Sequence, residues 1–345
     1  LKMLKNNLKK VKRTKFWYYI VFLIVKPLFE IFWKYLINFH GFVLKKIWFF
    51  KKRRDFISLE KNDKKIIYDQ KEFIQLANEI YKQFDTNLLN KINLIIKKGL
   101  ITQNKSNHGK KTYTIDTFEF LSAETKQKIF NLATSDLMIS TAANYLGVFP
   151  ILSRILVNFN IPNDPDDQRG AMLWHRDDFG YKSLDLFLSI TDVDENNGPF
   201  FSLAKPLKLG TFSNFDTKEI YTEKGYRGKI DDKNFSKPVN KYSVINNMGK
   251  SGTGVIIDSF SSFHKGGGCK QNHRIMLRIS YQTIDSISLK KQGNNFLNFD
   301  KVKKNETKDI FLKYMLFKRS MFFEKIRLPS FLLYLYRLFQ FKESL

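Results

Sequence analysis

Apolar positions fall into three successive textures along the 345 residues. From Phe16 to Phe56 the chain is dominated by Phe, Leu, Ile and Trp, with Lys26, Glu30, Lys34 and Asn38 recurring every fourth residue. On a helix those four positions form one narrow polar stripe against a broad apolar wall. The charges and Pro27 interrupt the roughly 20 apolar residues that a membrane-crossing helix wants, so the pattern predicts a helix lying in a membrane interface. The basic start followed by an apolar run resembles a signal peptide, but no small-residue cleavage site follows it. From about residue 56 to 150 the period becomes helical, as in "KEFIQLANEIYKQF" and "SAETKQKIFNLATSDLMISTAANYL", with Ser122 and Glu124 reading as a helix start.

After Gly147 the texture changes again. Short alternating or apolar runs, "RILVNFN", "AMLWHRD", "LDLFLSIT", "PFFSLA", "TGVIIDSF" and "RIMLRISYQT", are separated by clusters of Gly, Pro, Asn and Asp. Many short strands at such spacing predict a sandwich or barrel of the jelly-roll kind. The last stretch, from Phe311 to Leu345, repeats the bulky apolar and basic composition of the first, with a break at Pro329. The expected organisation is a basic, apolar, membrane-seeking region at 1–55, a domain at 56–285 and a basic amphipathic extension at 286–345. The domain divides into a helical part at 56–150 and a β core at about 150–283. The fold class expected is α+β, a double-stranded β-helix, cupin-like, with flanking helices and amphipathic terminal helices. If instead the terminal helices only cover the flanks of the core, no membrane is needed.

Composition adds two constraints. Lys and Arg number 59 against 33 Asp and Glu, a formal charge of +26. Such an excess suits an anionic membrane surface, and no nucleic-acid motif accompanies it, so nucleic acid is not expected as a partner. Because the excess is mostly lysine among much Asn, Ile and Phe, codon bias in an AT-rich genome explains it equally well. The single cysteine, Cys269, excludes an internal disulfide and fits a reducing compartment. The expected location is therefore the cytoplasm, at the inner face of a membrane.

The chemistry concentrates in the strand-rich part. In "AMLWHRDD", His175 and Asp177 lie two apart, so on a strand or its frayed end both side chains project to one side. A second histidine, His264, follows the apolar run of "GVIIDSFSSFHKGGG". Two neutral imidazoles and one carboxylate, with open positions opposite, form the facial arrangement of non-haem iron(II) oxygenases. Arg274 stands ten residues after His264 and opens another strand. A buried arginine is costly unless it meets an anion, and its planar fork suits a carboxylate such as the distal one of 2-oxoglutarate. Of the other histidines, His40 falls in the apolar N-terminal region, His108 in a polar loop, and His273 on the strand face opposite Arg274. Asp178 reads as solvated or turn-forming, Asp185 and the acids of "DVDEN" as turn-forming, and Trp174 as core.

Together, "LWHRDD", "LSITDVDENNGPF", "GVIIDSFSSFHKGG" and "RIMLRISY" resemble the phytanoyl-CoA dioxygenase family of iron(II)- and 2-oxoglutarate-dependent oxygenases over about residues 150–283. The resemblance implies His175, Asp177 and His264 as iron ligands and Arg274 as the 2-oxoglutarate clamp. Arg278, which shares the strand face of Arg274 and begins an R-x-S run, is the runner-up clamp. It implies Fe(II) as cofactor, 2-oxoglutarate as co-substrate, and oxygen with an organic molecule as the reactants. Halogenases of this fold lack the carboxylate, so Asp177 favours hydroxylation of an aliphatic carbon. After "NNGPF" the family continues with a Pro-Gly-Ser-His run where this chain has "FSLAKPLKLG", so relatives do not define the substrate mouth. The apolar ends suggest a lipid or lipid-linked substrate at a membrane surface. Two other readings fit the same residues: a soluble oxygenase of a small polar metabolite or saccharide, and a non-catalytic membrane-attached barrel.

Overall fold

In a computed structural model the described residues are 39–51, 55–59, 64–97, 114–162, 170–175, 177, 182–203, 232–233, 235, 244–259, 262–283, 311 and 315. The four-residue polar stripe of the N-terminal region, His108, Asp178 and nearly all of the C-terminal extension lie outside them. In chain order the elements are α1 (Phe39–Lys51), β1 (Lys64–Ile67), α2 (Lys71–Lys82), α3 (Thr86–Lys97), β2 (Thr114–Asp116), α4 (Ala123–Ala133) and α5 (Asp136–Leu146). They continue with β3 (Ile151–Asn160), β4 (Ser183–Ser189), β5 (Phe200–Leu203), β6 (Val244–Asn247), β7 (Gly254–Ile257), β8 (His264–Gly266) and β9 (Arg274–Gln282).

The long helical stretch expected after Ser122 is two helices, because Ser135 starts a second one. The Ser122 side chain accepts from Thr125 N, and the Ser135 side chain accepts from Met138 N, each capping a helix N-terminus. Gly147 ends α5 at φ +81, the left-handed conformation that glycine adopts without a Cβ penalty. Two short strands, β1 and β2, lie within the stretch whose periodicity read as helical. At four and three residues they are too short to impose a period of two on their surroundings.

Among the described residues the strands make two antiparallel sheets. One has the order β1-β7-β4-β9-β3-β2 and the other β6-β5-β8. In β4, β7 and β9 of the larger sheet the period of two is strict. Leu184, Leu186 and Leu188 of β4, with Ile275, Leu277, Ile279 and Tyr281 of β9, join one core with Phe73, Ile80, Ile129, Met138 and Leu146 from the helices. The alternate positions face the other way. Phe187, Val255, Ile257 and Met276 cluster there with Phe200 of β5, so the inner faces of the two sheets meet. A bulge between Leu152 and Arg154 resets the register of β3 against β9. Beyond it Arg154 faces Ser280, Leu156 faces Arg278 and Asn160 faces Arg274.

The described part of the apolar N-terminal region is α1, and it packs on this domain. Leu44 and Trp48 are buried, and Trp48 meets Phe149 and Phe311 edge-on with ring centroids 5.4 Å and 5.0 Å apart. Its indole Nε1 donates to Ser140 Oγ at 2.9 Å. Among the described residues no helix is long and apolar enough to cross a membrane.

Candidate metal centre

"AMLWHRD" was expected as a strand. The structure gives a single 3-10 turn, Gly170–Met172, followed by an isolated antiparallel bridge between His175 and His264. His175 N donates to His264 O at 3.0 Å, and His264 N donates back to His175 O at 2.9 Å. The two histidines are therefore directly opposed, and their rings lie on one face with centroids 4.4 Å apart. Ser202 of β5 is the other neighbour of His264 in this small sheet. Asp177 is placed by its own backbone, Asp177 N donating to Ser259 O at 2.9 Å.

His175, Asp177 and His264 each offer one ligand atom, all within 4.8 Å of one another. His175 Nε2 is 3.6 Å from Asp177 Oδ1, and His264 Nε2 is 4.0 Å from Asp177 Oδ2. The outer ring nitrogens are tied to carbonyls: His175 Nδ1 donates to Leu173 O at 2.7 Å and His264 Nδ1 to Ser262 O at 2.9 Å. A carbonyl only accepts, so both Nδ1 atoms carry a proton, and the nitrogen each ring can offer to a metal is Nε2, the one facing Asp177. Burial, with His175 alongside, brings His264 down to about 4, so its imidazole is neutral at neutral pH. Burial acts to raise the Asp177 carboxyl, but Arg278 and the two imidazoles outweigh it and hold it well below the usual carboxylate range. Two imidazole nitrogens and an ionised carboxylate fit a divalent iron-type ion.

The two arginines differ in surroundings. Arg278 sits between carboxylates: Nη2 donates to Asp177 Oδ2 at 2.5 Å, and Nε donates to Asp185 Oδ1 at 2.9 Å. Its guanidinium carbon lies 5.0 Å from the Phe187 ring centroid. Burial opposes its charge, yet Asp185 and Asp177 outweigh burial and raise its pKa above the ordinary value. Arg274, four residues earlier on the same face, is buried at the start of β9. A Cβ added to Gly266 would stand 3.6 Å from Arg274 Nη2, which places that guanidinium beside the strand carrying His264.

Asp185 is a correction. It was read as a turn former, yet it is a fully buried residue of β4, accepting from Arg278, Ser259 Oγ and Ser280 Oγ. The signal was present in "LDLFLS": Leu184, Leu186 and Leu188 claim the core face, which leaves Asp185 and Phe187 facing the other sheet. Arg154, also inward on β3, is brought down to about 10 by burial and by Arg278. Trp174 is core as expected, stacked on Phe235 at 4.9 Å. His273 is half-buried, stacked on Phe159 at 4.9 Å. Cys269 is buried, with Sγ donating to Asn197 O at 3.1 Å.

Behind the histidines lies a tie without any periodic signal in the sequence. Trp174 Nε1 donates to Asp232 Oδ1 at 2.8 Å, and Lys265 Nζ donates to both Asp232 oxygens at 2.5 Å and 2.6 Å. Each donor residue is the chain neighbour of a histidine, so one carboxylate bridges the two histidine-bearing segments from the opposite face.

No family model matches the chain, and no curated protein matches it in sequence. Among solved structures it is similar to EctD from S. alaskensis in its apoform, at 15% identity and a TM-score of 0.43, over 66% of this chain and 78% of that one. AviO1 from Streptomyces viridochromogenes Tue57 is 13% identical with a TM-score of 0.40, over 66% and 92%. The epimerase SnoN in complex with Fe3+, alpha ketoglutarate and nogalamycin RO is 14% identical with a TM-score of 0.41, over 66% and 81%. At scores this low they carry no argument about this chain.

Proposed function

We propose that this protein is an iron(II)- and 2-oxoglutarate-dependent dioxygenase, of phytanoyl-CoA dioxygenase type on a double-stranded β-helix, hydroxylating an aliphatic carbon of an organic metabolite. The observation that carries this reading is the convergence of His175, Asp177 and His264, with both imidazoles held in the tautomer a metal requires. His175, Asp177 and His264 would hold iron(II), which with 2-oxoglutarate and oxygen supplies the oxidising chemistry that no side chain provides. Arg274 would orient the distal carboxylate of 2-oxoglutarate, a role supported by its burial and its place beside β8. Phe187, Phe200, Val255 and Met276 between the sheets keep water from the reacting atoms.

Anaerobic iron(II) binding tests the site. His175→Ala or Asp177→Ala abolishes binding, and unchanged affinity in both refutes the ligand assignment. Arg274→Leu raises the 2-oxoglutarate concentration needed while iron stays bound; if only Arg278→Leu did so, the clamp would be Arg278. Succinate formed from 2-oxoglutarate and oxygen by the wild-type chain separates an enzyme from a non-catalytic barrel.

The substrate reading is a lipid or lipid-linked molecule delivered at an anionic membrane. Its support is the outer face of α1, where Phe39, Val43, Ile47 and Phe50 recur at helical spacing and are exposed, Phe50 at 92%. The opposite face of α1, packed through Leu44 and Trp48, favours a second reading, an oxygenase of a small polar metabolite whose terminal helix only covers the core. Sedimentation with anionic liposomes decides. Ile47→Glu with Phe50→Glu weakens binding if the first reading holds, and equal sedimentation of variant and wild type leaves the second.

A further inference from the structure

We propose that Arg278 is a positioning residue that occupies one oxygen of Asp177 and holds it back from the metal, so that the carboxylate ligates through the other oxygen alone. The inference rests on the metal-site reading above and goes beyond it, because it assigns Arg278 a task at the ligand itself.

A carboxylate beside a divalent ion can close on it with one oxygen or with both. With two histidines fixed, the second oxygen would fill a coordination position that a bidentate co-substrate and oxygen need. In this chain the choice is made by the protein. Arg278 Nη2 holds Asp177 Oδ2 at 2.5 Å, an oxygen that stands 4.0 Å from His264 Nε2, while Oδ1 is free of Arg278 and faces His175 Nε2 at the shorter 3.6 Å. The guanidinium is not free to follow the carboxylate. Its Nε donates to Asp185 Oδ1 at 2.9 Å and to Ser280 Oγ at 3.2 Å, and its guanidinium carbon lies over the Phe187 ring.

Asp185 is fixed in turn. It is fully buried and accepts from Ser259 Oγ and Ser280 Oγ, and Ser259 also supplies the carbonyl that accepts Asp177 N. The backbone and the side chain of Asp177 are thus both anchored to the Asp185 and Ser259 cluster. All three charged side chains are at most 12% exposed, so water does not compete for these bonds. The arrangement is that of a metal-ligating carboxylate oriented by an outer partner.

The test uses cobalt(II), bound anaerobically to the full chain in place of iron, and the variants Arg278→Gln and Asp185→Asn/Arg278→Gln. The double variant keeps the net charge of the Asp177, Asp185 and Arg278 cluster and leaves Asp177 as the one charged member of the three, which the metal itself offsets. Circular dichroism establishes that each is folded. The decisive readout is the cobalt ligand-field spectrum without 2-oxoglutarate. It shifts in both variants as Asp177 closes on the metal with two oxygens, and 2-oxoglutarate then binds more weakly than to wild type. An unchanged spectrum in a folded variant overturns the proposal. If 2-oxoglutarate binding weakens while that spectrum stays the same, Arg278 contacts the co-substrate directly and the proposal also fails. A spectrum altered in Arg278→Gln but restored in the double variant means charge, not position, is at work, and likewise overturns it. Wild-type protein that binds no cobalt removes the metal-site reading instead, a result distinct from all of these.

Discussion

Gly198 and Gly147 share a backbone conformation and differ in what surrounds them, which separates two costs that are usually mixed. Gly198 has φ +78 and Gly147 φ +81, so an alanine at either incurs the left-handed penalty of about 1–2 kcal/mol. Around Gly147 a new Cβ would meet nothing within 4 Å. At Gly198 it would stand 2.5 Å from Gly267 O, 2.8 Å from Gly268 C and 2.9 Å from Cys269 N, all backbone atoms that cannot rotate aside. Gly267 N donates to Pro199 O at 2.7 Å, so the two segments already touch. Overpacking of this kind adds about 1–3 kcal/mol, for a total of about 2–5 kcal/mol in Gly198→Ala. The loss of unfolded-state freedom on replacing glycine offsets a few tenths of a kcal/mol in both variants alike. At about 2–4 °C per kcal/mol, Gly147→Ala lowers Tm by about 2–8 °C and Gly198→Ala by about 4–20 °C. Thermal unfolding followed by circular dichroism in the presence of a chelator measures both. Because Gly267 directly follows β8, Gly198→Ala also weakens metal binding, while Gly147→Ala at the end of α5 does not. Equal Tm losses in the two variants would show that the "NNGPF" and "KGGG" segments are not in the contact described.

Three further outcomes follow from the packing. Tyr281→Phe deletes the hydroxyl that donates to Ala133 O at 2.7 Å and costs about 1–3 kcal/mol near neutral pH, read from urea midpoints. Burial raises the Tyr281 phenol above its ordinary 10.0, so the unfolded chain ionises first and wild-type stability falls as pH climbs past that value. The Phe variant lacks this loss, so the gap narrows in alkali; a gap that widens contradicts the burial. Cys269, buried with a thiol pushed up by burial, reacts with a thiol reagent only as fast as the protein unfolds, and rapid labelling of native protein would place it at the surface. Trp48→Ala removes the anchor of α1 against Phe149 and Phe311 and costs about 3–5 kcal/mol by denaturant titration; a change under about 1 kcal/mol would mean that α1 is not part of the core.

By itself the sequence determined the periods, and with them most elements. The switch from helical to alternating texture at Gly147 matches the start of β3, and the strict alternation of β9 separates Ile275, Leu277, Ile279 and Tyr281 from Arg274, Arg278 and Ser280. The candidate donors His175, Asp177 and His264 were legible because imidazole and carboxylate side chains stand out against strand-like surroundings. Local pattern carries no information about which distant segments meet, and three features depended on that. The bridge of His175 to His264 joins residues 89 positions apart through backbone hydrogen bonds, which are indifferent to side-chain identity. The burial of Asp185, and the engagement of Arg278 by two carboxylates at once, follow from the register of β4 on β9 and from where Asp177 is delivered. The tie of Asp232 to Trp174 and Lys265 is likewise tertiary. Charge pairs in a low-dielectric interior are set by three-dimensional proximity, and only the folded chain supplies it.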